Sequence, residues 1–269
     1  MRLSLVRWLR PALQVCMMCG RQILSMAHVG HVKHPEPAAV LKQHLCENCC
    51  TAIPWIAKPV CMICGRPEAC PDCLRRAGRS VIFSRCAIRY DDRMKYLLAL
   101  YKYRGSEKLE RLMASMLAFS FERICSDLTG GNGQPHFHLV TSVPLAKQRL
   151  MERGFNQAER MAAIMAEWYG LPYRQTLIRN RHTGKQSLKT RQKRLADLKG
   201  TFSASLDLGS MHFLSASSRG PVRILLADDI YTTGSTLNEC ASTLRNALCA
   251  AYHLPKERVE IYGLVWARS

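Results

Sequence analysis

The sequence predicts an α/β protein, a parallel sheet flanked by helices, with a small cysteine-rich unit in front of it. Ile224, Leu225, Leu226 and Ala227 form an apolar run typical of a central parallel strand covered on both faces. Leu237, Cys240, Ala241, Leu244 and Leu248 follow it at the spacing of a core-facing helical stripe. The junction between them is where a strand hands over to a helix, the position at which open α/β sheets bind ligands. Nine of the thirteen cysteines precede Arg75, eight of them in C-x-x-C pairs, which sets the first segment apart.

The chain has 269 residues, 48% of them hydrophobic, enough for one large domain or a medium domain plus a small one. Thirty-nine Lys and Arg against twenty Asp and Glu leave a formal net charge of +19. That balance favours nucleic acid, acidic headgroups or phosphorylated small molecules as partners. The window from Arg174 to Lys199 holds nine basic residues and one acid, Asp197, and is the expected anion-facing surface. No apolar run approaches the roughly 18 residues of a membrane span, and Arg2, Arg7 and Arg10 interrupt the N-terminal stretch. No membrane insertion is expected, and the expected location is cytoplasmic.

Four C-x-x-C units open the chain: Cys16 with Cys19, Cys46 with Cys49, Cys61 with Cys64, and Cys70 with Cys73. Each offers two thiolates from one tight knuckle, so two units complete a tetrahedral all-thiolate zinc site and four complete two. Sequential pairing is preferred, first with second and third with fourth; interleaved pairing is the alternative. Cys50 is left over, and His28, His31, His34 and His44 are not needed as ligands. Closed sites of this kind are structural, and so short a segment needs its metal to fold. A ribbon touching nucleic acid through Arg75, Arg76 and Arg79 is the functional alternative. The pairs stop before residue 80, and Gly78 precedes a strand-like run through Val81, Ile82, Phe83 and Ile88. This divides the chain into a zinc-binding domain, residues 1–80, and a second domain, residues 81–269.

Asp91 to Leu100 reads as a short helix, and Tyr101 to Gly105, Y-K-Y-R-G, as a basic aromatic turn. From Glu107, Leu109, Leu112, Met113, Met116 and Leu117 form the stripe of an amphipathic helix that ends before Gly130 to Gly133. His138 to Val143 reads as a strand leading into V-P-L-A-K-Q-R-L-M-E-R-G-F-N-Q, a second loop with Pro144 and Leu145 at its head. Arg149 and Arg153 are long enough to clamp phosphate oxygens there. Asn156 and Gln157 begin a helix whose Met161, Ile164, Met165 and Trp168 face the core, Ser203 to Gly220 reads as a surface loop, and Val259 to Trp266 as the last strand.

The junction itself, Arg223 to Thr236, reads R-I-L-L-A-D-D-I-Y-T-T-G-S-T. Amides at a helix N-terminus attract an anion, and Thr232, Thr233, Ser235 and Thr236 add hydroxyls around Gly234, so a phosphate fits. Asp228 and Asp229 accept hydrogen bonds and repel anions, which suits them to sugar hydroxyls. Together they suggest a ribose 5-phosphate; a plain strand-to-helix turn with solvated acids is the alternative. The stretch resembles the phosphoribosyl pyrophosphate (PRPP) motif of type I phosphoribosyltransferases: four apolar residues, two acids, two further residues, then T-T-G-x-T. With V-P-L-x-x-x-R-x-x-x-R-G-F-N-Q and the cysteine-rich start, nearly the whole chain resembles the ComF family of competence-associated, GntX-like phosphoribosyltransferase-like proteins.

The resemblance implies a type I phosphoribosyltransferase-like sheet. It also implies catalytic roles for Asp228 and Asp229, holding the ribose and stabilising positive charge on the sugar as pyrophosphate departs. Thr232, Thr233, Gly234, Ser235 and Thr236 would hold the 5-phosphate, and Pro144, Leu145, Arg149 and Arg153 the pyrophosphate with Mg²⁺. Gln186 to Phe202 would be a mobile lid. It departs from the family pattern at Lys189, where Leu is usual, and at Asp197, where Asn is usual. Thr232 is neutral where purine-salvage relatives of the motif carry an acid, and no residue identifies the acceptor. Two classes of function follow. One is a transferase on PRPP supporting natural competence and DNA uptake. The other is a single-stranded DNA-binding or adaptor protein, docking to DNA-uptake motor proteins without turnover, with Tyr101, Tyr103, Arg104 and the basic lid as its DNA surface.

Overall fold

The computed structural model describes residues 14–25, 27–74, 78–180, 200–205 and 220–269, apart from the side chain of Arg104. Most of the expected lid, with Lys189, Arg191, Lys193, Arg194 and Lys199 in it and Lys185 just before it, lies outside the described residues. The cysteine-rich segment carries α1 (Pro35–His44), α2 (Glu47–Thr51) and α3 (Pro71–Leu74). Then follow β1 (Ser84–Arg89), α4 (Asp92–Arg104), α5 (Glu107–Thr129), β2 (Leu139–Ser142), α6 (Lys147–Arg153) and α7 (Gln157–Trp168). The chain continues through β3 (Leu177–Arg179), β4 (Phe202–Ala204), β5 (Val222–Tyr231), α8 (Ser235–Tyr252) and β6 (Val259–Arg268).

Four strands form one parallel sheet in the order β1-β6-β5-β2, and β3 with β4 forms a separate antiparallel pair. Alternation along β5 builds a core on each face. Leu225 and Ala227 pack with α1, α4, α5 and α7, while Ile224 and Leu226 pack with α8. The cysteine-rich segment contributes to both cores: Cys16, Leu41 and Leu45 join the first, Ile56, Cys64, Cys70 and Cys73 the second. Gly263 of β6 lets α8 sit close, since a Cβ there would stand 2.6 Å from Leu237 Cδ2 and 2.8 Å from Ser84 Cβ. The first turn of α8 is thereby held down on the sheet beside the end of β5.

Several boundaries differ from the sequence reading. The helix begun at Asp91, whose carboxylate caps it by accepting from Met94 N at 2.9 Å, runs on to Arg104. Tyr101 continues the buried stripe of Met94, Leu97 and Leu98, so the expected turn is the helix's last turn, closed by Gly105 at φ 47°. The segment after Pro144 folds into α6 rather than an open loop, and Ser203 lies in β4, paired with Ile178, rather than in a surface loop. Asp228 and Asp229 belong to β5 itself, which pairs with β6 as far as Tyr231 opposite Arg268. α5 matches its reading: Ser106 caps it, accepting from Leu109 N at 3.3 Å, and Gly130 ends it in the left-handed region. Glu122 of α5 ties the cysteine-rich segment down, accepting from Lys33 N at 2.9 Å, His34 N at 2.9 Å and Tyr169 Oη at 2.7 Å. Among the described residues no helix is long and apolar enough to cross a membrane.

Candidate functional site

The C-terminal ends of β5 and β2 lie side by side, Ser142 opposite Ala227, and the ladder continues one step through Val143 N to Ala227 O at 2.9 Å. Both expected ligand loops therefore leave the sheet at the same edge, the Pro144 loop from β2 and the Thr232 to Thr236 loop from β5. Gly234 at φ 71° is the residue before α8, and the Thr233 and Ser235 hydroxyls lie 2.9 Å apart across it. An 18-residue helix thus presents its N-terminal amides among hydroxyl groups, an arrangement that attracts a phosphate.

Asp228 and Asp229 stand half-buried beside this loop, Asp228 Oδ1 accepting from Asp229 N at 2.9 Å. Burial and the neighbouring Asp229 charge push the Asp228 carboxyl well above the usual carboxylate range. Burial opposes ionisation of Asp229 too, but Lys102 Nζ at 2.8 Å, with Arg153 beyond it, holds that carboxyl below its usual range. The pair thus divides into a member that holds its proton more tightly and one that gives it up more readily, and both can hydrogen-bond to a diol. Arg179, at the end of β3, feels the charges of both Arg149 and Asp228. Cations therefore gather at the two acids from three elements: Lys102 on α4, Arg153 on α6 and Arg179 on β3, with Arg149 of α6 beside Arg179. Arg153 Nη1 also donates to Gln157 Oε1 at 2.9 Å, and Asn156 Nδ2 to Val143 O at 3.0 Å, which fixes α6 and the start of α7 against the loop.

Lys102 and Arg179 were not among the residues singled out from the sequence for this pocket. Lys102 sits within the Tyr101 to Gly105 segment, and the signal was the stripe of α4, which places Lys102 one residue beyond a buried Tyr101. That same burial removes Tyr101 from any base-stacking surface: its ring is fully buried, 5.1 Å from Phe155, whereas Tyr103 is 86% exposed.

The eight paired cysteines gather into two quartets in sequential pairing, Cys16, Cys19, Cys46 and Cys49, then Cys61, Cys64, Cys70 and Cys73, with all ligand atoms of a quartet within 4.8 Å of one another. A tetrahedron with metal–sulfur bonds of about 2.3 Å has edges of about 3.8 Å, and the Cys19 and Cys46 sulfurs stand 3.8 Å apart. Each first knuckle closes on a glycine: Gly20 N donates to Cys16 O at 2.8 Å and Gly65 N to Cys61 O at 2.9 Å, at φ 71° and 73°. Burial works against a thiolate at Cys16 and Cys70, yet the amides of Cys46 and Cys19, and that of Cys73, bring the two thiols down to about 7. Burial and neighbouring sulfurs push Cys49 and Cys73 up. Left alone, each quartet supports few negative charges; four thiolates need a cation among them, and a tetrahedral all-sulfur set is what zinc takes. The four histidines stay apart from both quartets; His31, for instance, packs between Trp55 and Phe119.

The second quartet borders the loop between β5 and α8. A small cavity is lined by Ile63 and Cys73 on one side and Tyr231, Gly234 and Leu237 on the other. Arg268, 4% exposed, donates from Nη1 to Tyr231 O at 3.0 Å and lies with Cζ 4.9 Å from the Tyr231 ring centroid. Burial opposes the Arg268 charge, but the thiols of Cys64 and Cys86 favour it and raise its pKa. Its Nε and Nη2 are buried, and the neighbour that the guanidinium meets on that side is the Cys64 thiol, so both donors suit a thiolate of a metal-loaded quartet.

No family model matches the chain. It is 32% identical over 211 residues to Competence protein ComFC of Bacillus subtilis, covering 75% of this chain and 78% of that one. It is 25% identical to Competence protein F of Haemophilus influenzae, over 85% of this chain and 93% of the relative. DNA utilization protein YhgH of Salmonella typhimurium is 26% identical, over 86% of this chain and 90% of the relative.

Proposed function

The chain belongs to the ComF family of competence proteins, and we propose that it serves competence and DNA utilisation through a pocket for a ribose 5-phosphate group, with PRPP as the ligand that fills the pocket most completely. The observation that carries this reading is the pair Asp228 and Asp229 at the end of β5, directly before a hydroxyl-lined helix N-terminus. The loop from Thr232 to Thr236 takes the 5-phosphate, and the two carboxyls take the ribose hydroxyls. The loop of Pro144 and Leu145 with Arg149 and Arg153 takes the pyrophosphate. The sheet is on this reading a type I phosphoribosyltransferase-like sheet.

The carboxyl oxygens are of the kind that magnesium accepts, so the ligand is expected to enter as its Mg²⁺ complex. Lys102 must release Asp229 for the ribose to reach it, and is then left with a free positive charge beside the diphosphate. Were pyrophosphate to leave, the two fixed acids would face the positive charge on the sugar. Calorimetry with PRPP and magnesium tests the reading: heat is expected, and its loss in Asp228→Asn with Asp229→Asn; a silent titration of the folded wild type rejects it.

A second reading is favoured by the net charge of +19 and by relatives named for DNA utilization. Here the chain binds single-stranded DNA, or docks to the motor proteins of uptake, with the pocket recognising a nucleotide end. Affinity for an oligonucleotide would then fall steeply with salt; a flat salt dependence argues against it.

A further inference from the structure

We propose that Arg268 is a positioning residue that couples the second cysteine quartet to the phosphate loop, so that metal at Cys61, Cys64, Cys70 and Cys73 sets how firmly Tyr231 to Thr236 are held for a phosphate monoester. The proposal rests on the ribose-phosphate reading for its ligand, but not for its geometry.

Arg268 is the last residue of β6, opposite Tyr231 in the register. Its Nη1 bonds the Tyr231 carbonyl and its guanidinium lies over the Tyr231 ring. Tyr231 in turn lies against Gly234, where a Cβ would run into its Cε1, Cζ and Oη. Gly234 is the pivot before the first turn of α8, so a shift of Tyr231 moves the hydroxyls and amides of the phosphate loop. On its other side the guanidinium, on a residue 4% exposed, meets the Cys64 thiol, and its Nε and Nη2 are buried with no other hydrogen-bond partner among the described residues. A metal bound by four thiolates leaves a net negative charge on the sulfurs, and charge-assisted hydrogen bonds from those two nitrogens complete the arginine's contacts. Without metal the quartet holds less negative charge, and the guanidinium is no longer fixed from that side.

Gly65 adds rigidity to the same connection, since a Cβ there would stand 2.9 Å from Ser84 O and 3.2 Å from Arg85 Cα, so the knuckle lies directly on β1. The first quartet has no such connection in the described residues: its members pack with the core on the opposite face of the sheet.

The test is hydrogen exchange on the zinc-loaded full chain, read at the amides of residues 231–236 and, as a control, of residues 16–20. Arg268→Met is expected to speed exchange at 231–236 by roughly 10- to 100-fold, the factor that loss of a hydrogen bond from a charged group amounts to, and to leave 16–20 unchanged. Arg268→Lys, which keeps the charge but loses the fork, is expected to fall between. If Arg268→Met does not fold, stepwise removal of zinc from the wild type by a chelator replaces it: loop exchange should rise only with the loss that frees Cys64. Unchanged exchange at 231–236 in the variant, or on loss of that zinc, overturns the coupling. Titration with ribose 5-phosphate is a separate arm. If the wild type does not bind it, the ribose-phosphate reading fails while the exchange result still decides the coupling. If it binds, Arg268→Met should weaken it by a similar factor, and equal affinity counts against the coupling.

Discussion

The two cysteine quartets use the same ligand set and the same glycine-closed knuckle, yet they sit on opposite faces of the sheet with different neighbours. The first lies among α1, α2 and α4, with Cys19 exposed, beside a cavity of about 530 Å³ lined by Met17, Met18, Arg21 and Tyr96. The second has Cys64, Cys70 and Cys73 buried and borders Arg268, Cys86 and the loop between β5 and α8. Ligand chemistry alone therefore does not fix what a metal site does for a protein. The first lies against the helical face; the second lies against the end of β5 and the start of α8.

The largest effect should come from breaking the quartets one at a time. Cys64→Ser is expected to lose one zinc and more than about 4 kcal/mol of stability, because metal and buried core are lost together. Cys19→Ser, at an exposed ligand, should cost roughly half as much. Denaturant titration alongside metal analysis measures both, and equal losses would erase the distinction. Next comes linkage: ribose 5-phosphate at about 100 times its Kd adds roughly 2.7 kcal/mol to the native state. It should slow chelator release of one zinc and not of the other, and Asp228→Asn with Asp229→Asn should remove that protection.

Smaller effects separate the two acids. Asp229 has a depressed folded pKa, so its stabilisation is present above the ordinary carboxylate range and is lost as pH falls through the depressed value. Asp228 has a raised folded pKa, so its contribution is present at low pH and lost as pH rises through the raised value. At neutral pH, Asp229→Asn or Lys102→Met should therefore destabilise by about 1–2 kcal/mol, whereas Asp228→Asn should be neutral or stabilising. Melting curves between pH 3 and about 8 check the signs; a uniform loss for all three variants would contradict them. The smallest change concerns neither quartet. Neutralising Lys185, Lys189, Arg191 and Lys193 should flatten the salt slope for single-stranded DNA by about 0.7 per contact removed and leave zinc content and loop exchange untouched. An unchanged slope would take these residues out of any DNA surface.

Much of this was legible in the sequence because it was local. C-x-x-C spacing announces a knuckle, Ile224 to Ala227 announces a doubly covered strand, and the stripe after Ser235 announces α8. Sequential pairing of the cysteines, the preferred reading, is the pairing observed. What escaped was long-range. Lys102 reaches Asp229 from 127 positions away because α4 packs beside the end of β5. Arg268 reaches Cys64 only because β6 lies between β1 and β5. That the quartets lie on opposite faces follows from the path of the cysteine-rich segment across the sheet edge, for which residue spacing carries no signal. Tyr101 is the opposite case: its place in the stripe of Met94, Leu97 and Leu98 was readable, but Lys102, Tyr103 and Arg104 around it resembled a polar turn.

Tyr231 leaning on Gly234 gives the molecule a spectroscopic reporter. An α-hydrogen of Gly234 points at the Cζ–Oη end of the tyrosine ring, so its resonance is sensitive to the position of that ring. In a labelled sample that one signal would follow the posture of the phosphate loop directly, without a ligand, a metal probe or a substitution.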